Sequence, residues 1–537
     1  MRYLVTGKQA ALIDRHTIEE VGVPQLVLME RASLALAEEV EGLVRDKAHD
    51  RILVVAESGN NGGDGVAAAR ILHQRGYLVE VWELKGLSKQ SEAYKKQVEL
   101  AKKAGVIRSE APRIDGYRVV VDAIFGVGLT REVTGKQKKA VLAINEAREN
   151  SGEMTVVAVD VPSGISSETG EILGAAVKAD RTVTFGFEKV GMRFAKEYCG
   201  KVSVHEIGFF LPEWVGAKGV GEAGAVCTSY DREDLPERLP HRSPEGNKGG
   251  FGRVLVIAGS RDISGAAFLA AEAAYRTGCG LVKVLTHENN REMLQQRLPE
   301  ALLSTYGDPS TDGSGRVSGN LSTDCLDGSG KVVDDIRWAS VIILGPGLGQ
   351  TDAAWKLTEK VLREASCPVI VDADAINLLA EHTELLTETA GRRPLIFTPH
   401  MLEMTRLSEK TQHPERTALE GLKKNRFLIS ASVAAGYQAT VVLKDACTVV
   451  TDADGAVWLN SSGNAAMAKG GSGDVLTGVI AGLIAQGLPA EEAACLGVYI
   501  HGLAGDAARD ELGAYSVIAR DLTDRLPAVL GSVRSGR

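Results

Sequence analysis

Arg51-Ile-Leu-Val-Val-Ala-Glu-Ser-Gly-Asn-Asn-Gly-Gly-Asp-Gly65 decides the fold. Its first six residues form a β-branched run with no polar alternation, which suits a strand buried on both faces. Glycines and polar residues then end the run, and the helical pattern Val66–Gln74 follows. A buried strand, a glycine-rich turn and a helix make half of a βαβ unit, the building block of parallel sheets.

The same grammar recurs along the chain. Val119–Asp122 and Thr155–Asp160 repeat it in the first half. In the second half the runs are Arg253–Ala258, Val341–Leu344, Pro368–Asp372, Leu395–Phe397 and Thr440–Leu443. Helical segments such as Gly265–Thr277 and Asp474–Gln486 fall between them, and Arg131–Asn150 reads as a charged, solvated helix. The expectation is an α/β protein of two domains with mainly parallel sheets, at residues 1–220 and 228–535. The boundary falls in the glycine- and proline-rich stretch near residues 212–240. Tyr306–Lys331 is poor in apolar residues and reads as a surface excursion within the second domain.

Composition agrees with this and removes other classes. The 537 residues are 44% hydrophobic and 24% charged, so a disordered chain is excluded. Sixty glycines with only 5% aromatics favour tight strand-to-helix turns over an aromatic-rich sandwich. A net charge of −9 offers no global basic field for nucleic acid. The seven cysteines are scattered with no CxxC, which argues against a zinc ribbon and fits reduced thiols in a cytoplasmic enzyme. Lys8, Asp14 and Arg15 break the apolar start, so no signal peptide is expected, and no run is long enough to span a membrane.

Polar residues collect where the strands end. Asn60, Asn61 and Asp64 follow the first run, Asp122 ends the second, and Asp160 and Ser163 follow the third. In open α/β sheets ligands bind outside the carboxyl ends of strands. Asn61, Asp122 and Ser163 would meet there as oxygen donors, a set suited to a hard cation. A lone Asp in such a place is ordinarily a turn former or helix cap, so the convergence of three ends carries the reading. In the second half, Asn464-Ala-Ala-Met-Ala-Lys-Gly-Gly-Ser-Gly-Asp474 leads into an apolar helix. Its backbone N–H groups and helix start form an anion site, with Asp474 placed to accept a hydroxyl proton. No GK[ST] completes a Walker A motif. Thr398-Pro-His400 past a strand, Gly345–Gly349 and the turn Lys444–Thr448 join the same crevice.

GNNGGDG, VDAIFGVGLTRE and VDVPSGI, in this order, resemble the epimerase domain of NAD(P)H-hydrate repair enzymes over roughly residues 9–213. The resemblance implies a Rossmann-like three-layer fold and interconversion of the R and S forms of NADHX or NADPHX. It places a potassium ion on Asn61, Asp122 and Ser163. Substrate contacts fall on Asn60, Asn61, Gly62, Gly63, Asp64, Gly126, Val127, Gly128, Leu129, Thr130, Arg131, Glu132 and Asp160. By carry-over Asp160 shuttles the proton that epimerisation requires. VLVIAGS, GPGLG, VDADAIN, TPH..E, LKD..T and AKGGSGD resemble the ADP-dependent NAD(P)H-hydrate dehydratase, a ribokinase-like fold, over roughly residues 228–530. That resemblance implies substrate contacts at Ala266, Gly347, His400 and Asp474. It puts the adenine nucleotide on Lys444, Asp445, Ala446, Cys447, Thr448 and Gly473, with a divalent cation, Mg2+, on its phosphates. The family pattern is altered at Met401, Asp445 and Ala465.

The expected chemistry moves a phosphoryl group from ADP to the ring hydroxyl, with Asp474 as base, so that phosphate leaves in place of hydroxide. The implied partners are small molecules, with no nucleic acid or membrane, and the expected state is a homo-oligomer. Two alternatives stand beside this. One is an ATP-dependent small-molecule kinase of the ribokinase type, which leaves the NNGGD half unexplained. The other is a first half that binds a ligand without catalysis.

Overall fold

The computed structural model describes residues 1–84, 90–110, 112–215, 227–307, 330–409 and 419–532. The described residues of Tyr3–Ala217 form one compact unit and those of Thr228–Arg537 another, which also takes Met1–Arg2. Most of the excursion expected over Tyr306–Lys331, and part of the boundary stretch, lie outside the described residues.

The first unit is built on seven parallel strands. Across the sheet they run Ile107–Ser109, Leu78–Glu83, Arg51–Ala56, Val119–Ala123, Thr155–Val159, Arg181–Phe185 and Lys201–His205. The chain starts at Arg51–Ala56, works outward to one edge, then returns to build the other side from Val119–Ala123. The switch point therefore lies between the GNNGGDG strand and the Asp122 strand. Alternate residues of these strands enter two separate cores. Ile52, Val54 and Ala56 join one with Val119 and Val121, while Leu53 and Val55 join the other with Val120. Both faces are covered, which is why the runs lack alternation.

The second unit repeats the plan. Nine strands of its sheet run Leu302–Tyr306, Leu281–His287, Arg253–Ile257, Val341–Leu344, Val369–Val371, Leu395–Phe397, Thr440–Leu443, Val449–Thr451 and Val457–Leu459. The first seven are parallel; Val449–Thr451 returns antiparallel through the turn Lys444–Thr448, and Val457–Leu459 pairs antiparallel with it in turn. Here the switch lies between Arg253–Ile257 and Val341–Leu344. Helices Gly265–Thr277 and Ser472–Ala485 cover the sheet in close contact.

Two helices begin earlier than the sequence pattern suggests, at Asn60 and at Ser472. In the first, Asn60–Asp64 are not a loop but the opening turns of the helix. Its glycines serve packing: a Cβ on Gly62 would stand 1.7 Å from the Glu57 carbonyl oxygen, and one on Gly65 2.4 Å from the Ala123 Cβ. The charged helix expected from Arg131 starts at Gly135.

Close helix approach in the second unit depends on Gly478, whose added Cβ would stand 2.2 Å from the Ala270 carbonyl oxygen and 2.7 Å from the Ala273 Cβ. Gly478→Ala is therefore expected to destabilise the chain by about 1–3 kcal/mol through overpacking, read as a lower midpoint in thermal unfolding.

Candidate functional sites at the strand ends

In the first unit, a cavity of about 660 Å3 opens at the switch point. Asn60, Asn61, Asp64, Gly126, Val127, Gly128, Leu129, Thr130, Arg131 and Asp160 line it. So do Asp14, Glu57 and Lys189, which sequence reading passed over. Three expected residues stand back from its wall. Gly62 and Gly63 are packed against Glu57 and Met29, and Glu132 is exposed.

Asp122 is fully buried beside this cavity. The Ser163 hydroxyl donates to its Oδ1 at 2.6 Å, and the Ser163 N–H donates to its Oδ2 at 2.8 Å. Burial pushes the Asp122 carboxyl up to about 6, against the hydrogen bonds that favour its charged form. Phe125 N–H donates to Ser163 Oγ at 2.8 Å. At the next residue, a Cβ on Gly126 would meet Asn61 Oδ1 at 2.9 Å. One loop thus ties Asn61, Asp122 and Ser163 together. Among the described residues no cluster of three or more His, Cys, Asp or Glu is placed to hold a metal. Asn61 Nδ2 is buried with no hydrogen-bond partner. A buried carboxylate, a hydroxyl and an amide oxygen fit a hard cation better than a soft transition metal.

Asp160 follows its strand in a left-handed conformation, φ +63°, unusual for a residue with a side chain. Its carboxylate meets the ammonium of buried Lys189. Burial, with Asp160 nearby, pushes the carboxyls of Asp64 and Asp14 up, Asp64 well above the usual carboxylate range.

In the second unit, Asp474 stands in the first turn of Ser472–Ala485. Burial, reinforced by Asp372, pushes its carboxyl up to about 7, and Lys444 opposes the shift. Lys444 Nζ bonds Asp372 Oδ1 at 2.6 Å, at the end of strand Val369–Val371. The Lys444 N–H donates to Pro399 O at 2.8 Å, which joins the expected nucleotide turn to His400. His400 caps helix Met401–Ser408: its Nδ1 accepts from the N–H groups of Leu402 and Glu403 at 3.1 and 3.2 Å. That leaves Nε2 to carry the ring proton, 3.3 Å from Glu403 Oε1. Gly473 abuts Lys444, 3.3 Å from an added Cβ to Nζ, and Gly347 abuts Ala266 at 3.1 Å. Asp374 accepts from Gly349 N–H at 2.8 Å, fixing the Gly345–Gly349 loop.

The turn Lys444–Thr448 exposes Asp445 and Ala446 and buries Cys447 and Thr448. The family departures are accommodated locally. Met401 opens its helix, Asp445 Oδ2 pairs with Arg426 at 3.5 Å, and Ala465 opens a single helical turn. His501, also unforeseen, is buried near the Ser472 backbone, and burial lowers its pKa to about 4.

Two α/β units, each with buried carboxylates and a lysine at its strand ends, define a two-site α/β enzyme. Residues 254–528 match the family model described as NAD(P)H-hydrate dehydratase, and residues 25–191 the one described as YjeF-related protein N-terminus. The bifunctional NAD(P)H-hydrate repair enzyme Nnr of Moorella thermoacetica is 36% identical over 98% of this chain and 96% of its own. That of Escherichia coli is 31% identical over 96% and 92%. A solved ADP/ATP-dependent NAD(P)H-hydrate dehydratase from Bacillus subtilis, co-crystallised with ATP/Mg2+, is 32% identical, covers 57% of this chain and 99% of its own, and has a TM-score of 0.46. The chain belongs to the family of bifunctional NAD(P)H-hydrate repair enzymes.

Among the described residues no helix is long and apolar enough to cross a membrane. Lys444→Met is expected to leave Asp372, 2% exposed, as a buried charge without its cation. A loss of about 3–5 kcal/mol should follow, measured by denaturant unfolding.

Proposed function

We propose that residues 1–220 interconvert the R and S epimers of NADHX and NADPHX. Residues 228–535 then dehydrate the S epimer to NAD(P)H, converting ADP to AMP and phosphate. The observation that carries this reading is the same in both units. A candidate base, Asp160 or Asp474, stands beside a lysine and a second aspartate in the crevice outside parallel strands.

In the first unit, Asn60, Asn61 and the Gly126–Arg131 loop bind the substrate, and Asp160 exchanges a proton with it. Asn61, Asp122 and Ser163 would hold a potassium ion, which supplies positive charge beside the cavity when bound. In the second unit, Ala266, Gly347 and His400 hold the hydrated ring, and Lys444–Thr448 with Gly473 hold the nucleotide. Asp474 takes the proton of the ring hydroxyl as that oxygen attacks the terminal phosphoryl of ADP and AMP leaves; phosphate then departs with the C–O electron pair, and the neighbouring ring carbon gives up a proton to form the double bond. The helix start at Ser472 faces the developing negative charge with unsatisfied N–H groups. Magnesium would accompany the nucleotide phosphates, with no side chains assigned to it. The same reading carries a homo-oligomer acting in the cytoplasm on small molecules alone.

Hydrated NADH with ADP and magnesium should regain dihydronicotinamide absorbance. Asp474→Asn is expected to lower that rate about 10²–10⁴-fold, and an unchanged rate would overturn the assignment. Because a carboxyl pushed up to about 7 is protonated below that pH, the base is lost on acidification. Wild-type kcat/KM is thus expected to fall about tenfold per pH unit below pH 7, seen in a pH–rate profile. Asp160→Asn, assayed without ADP by chromatography of the two epimers, should lose interconversion by a similar factor while dehydration of the S epimer stays at wild-type rate.

A further inference from the structure

The Asp160 carboxylate is held by one oxygen. Oδ1 meets the Lys189 ammonium, the Thr184 hydroxyl at 3.0 Å and the Phe185 N–H at 3.4 Å. Among the described residues, no hydrogen bond reaches Oδ2. Lys189 is itself fully engaged. Besides Asp160, its Nζ donates to Thr184 Oγ1 at 2.8 Å and to the Phe185 carbonyl at 3.2 Å. An ammonium has three protons, so Lys189 keeps none for a ligand. It is 2% exposed, although the cavity reaches its side chain. Asp14, Glu57, Asp64 and Arg131 are the other ionisable groups of that cavity. Of the three aspartates there, Asp160 alone has an ion-pair partner among the described residues.

We propose that Lys189 is a positioning residue for epimerisation: it pins Oδ1 of Asp160 and so leaves Oδ2 as the atom that exchanges the substrate's hydroxyl proton. The inference deepens the assignment of Asp160 as the base and rests on it. An Oδ2 lone pair takes the hydroxyl proton, the O–H electron pair forms a carbonyl, and the bond from that carbon to the ring nitrogen breaks with its pair left on nitrogen. The carbonyl turns, nitrogen adds to its other face and the proton returns to oxygen, so no oxidant or co-reactant is consumed. The left-handed backbone at Asp160 turns the carboxylate toward Lys189, and the three-point grip on Nζ keeps the ammonium from swinging into the cavity.

The test uses the full chain without ADP, with purified S-NADHX as probe and chromatographic detection of the R epimer. Lys189→Met is expected to lower kcat at least tenfold with KM within twofold of wild type, since the ammonium touches Asp160 and not the substrate. Lys189→Arg should restore most of kcat. Added to Asp160→Asn, Lys189→Met should cost nothing further, because a residue acting through Asp160 has no effect once that base is gone. Should Lys189→Met fail to fold, Thr184→Val removes one contact to each partner and is expected to lower kcat in the same direction. Wild-type kcat in whichever of these two variants folds would overturn the proposal, as would a full further loss in the double variant. Wild-type interconversion by Asp160→Asn would instead overturn the assignment of the base beneath it.

Discussion

A parallel strand covered by helices on both faces has no place along its length for an unpaired polar side chain. Every residue from Ile52 to Ala56 and from Val119 to Val121 is essentially without solvent. Polar groups are pushed past the strand ends, and the parallel direction puts all those ends on one side. Where the strand order reverses, the crossover helices diverge and leave a crevice. The cavity between the Asn60 helix and the Gly126–Arg131 loop stands at this reversal. In the second unit, Asp372, His400 and Lys444 follow three adjacent strands for the same reason.

Concentrating acids in such a crevice has an electrostatic cost, and each unit meets it with one lysine. Burial raises the carboxyls of Asp64 and Asp122 in the first unit and of Asp474 in the second. Lys189 and Lys444 each pair with one aspartate and leave the others to be neutralised by protons, ligand or cation. Acids raised by burial thus stand near an acid paired with a lysine, the arrangement in which one acid can give a proton while another takes it.

The strands and the ordering of motifs were legible because they are local. A β-branched run, a glycine and a helical pattern lie within about fifteen residues. The partners of the acids were not legible, because pairing across a sheet leaves no periodic trace. Lys189 is 29 residues from Asp160, and Lys444 is 72 from Asp372, each set by strand order rather than spacing. Lys444 was singled out for the nucleotide turn, yet its side chain points to Asp372 and Gly473. The glycines of GNNGGDG were legible as a signal and misleading as to cause. Freedom at positive φ suggests itself, but the helix begins at Asn60 and three of its glycines lack a Cβ because neighbouring atoms occupy that space.

Backbone strain marks the same two places. Among the described residues, three without a glycine's freedom adopt positive φ: Asp160, Ala373 and Gln438. Gln438 ends a helix, a position where left-handed residues are common. The other two directly follow, or follow by one residue, the strands Thr155–Val159 and Val369–Val371. Such conformations cost about 1–3 kcal/mol and persist only where surrounding structure enforces them. At Asp160 the strained residue is itself the candidate base, and its carboxylate is drawn back against Lys189. Ala373 separates Asp372, which turns to Lys444, from Asp374, which turns to Gly349. A relaxed extended residue at either point would continue the strand direction and carry the carboxylates away from their partners. The strain is thus confined to the two turns that aim acids into a crevice, and the covered strands on either side are rigid enough to hold it.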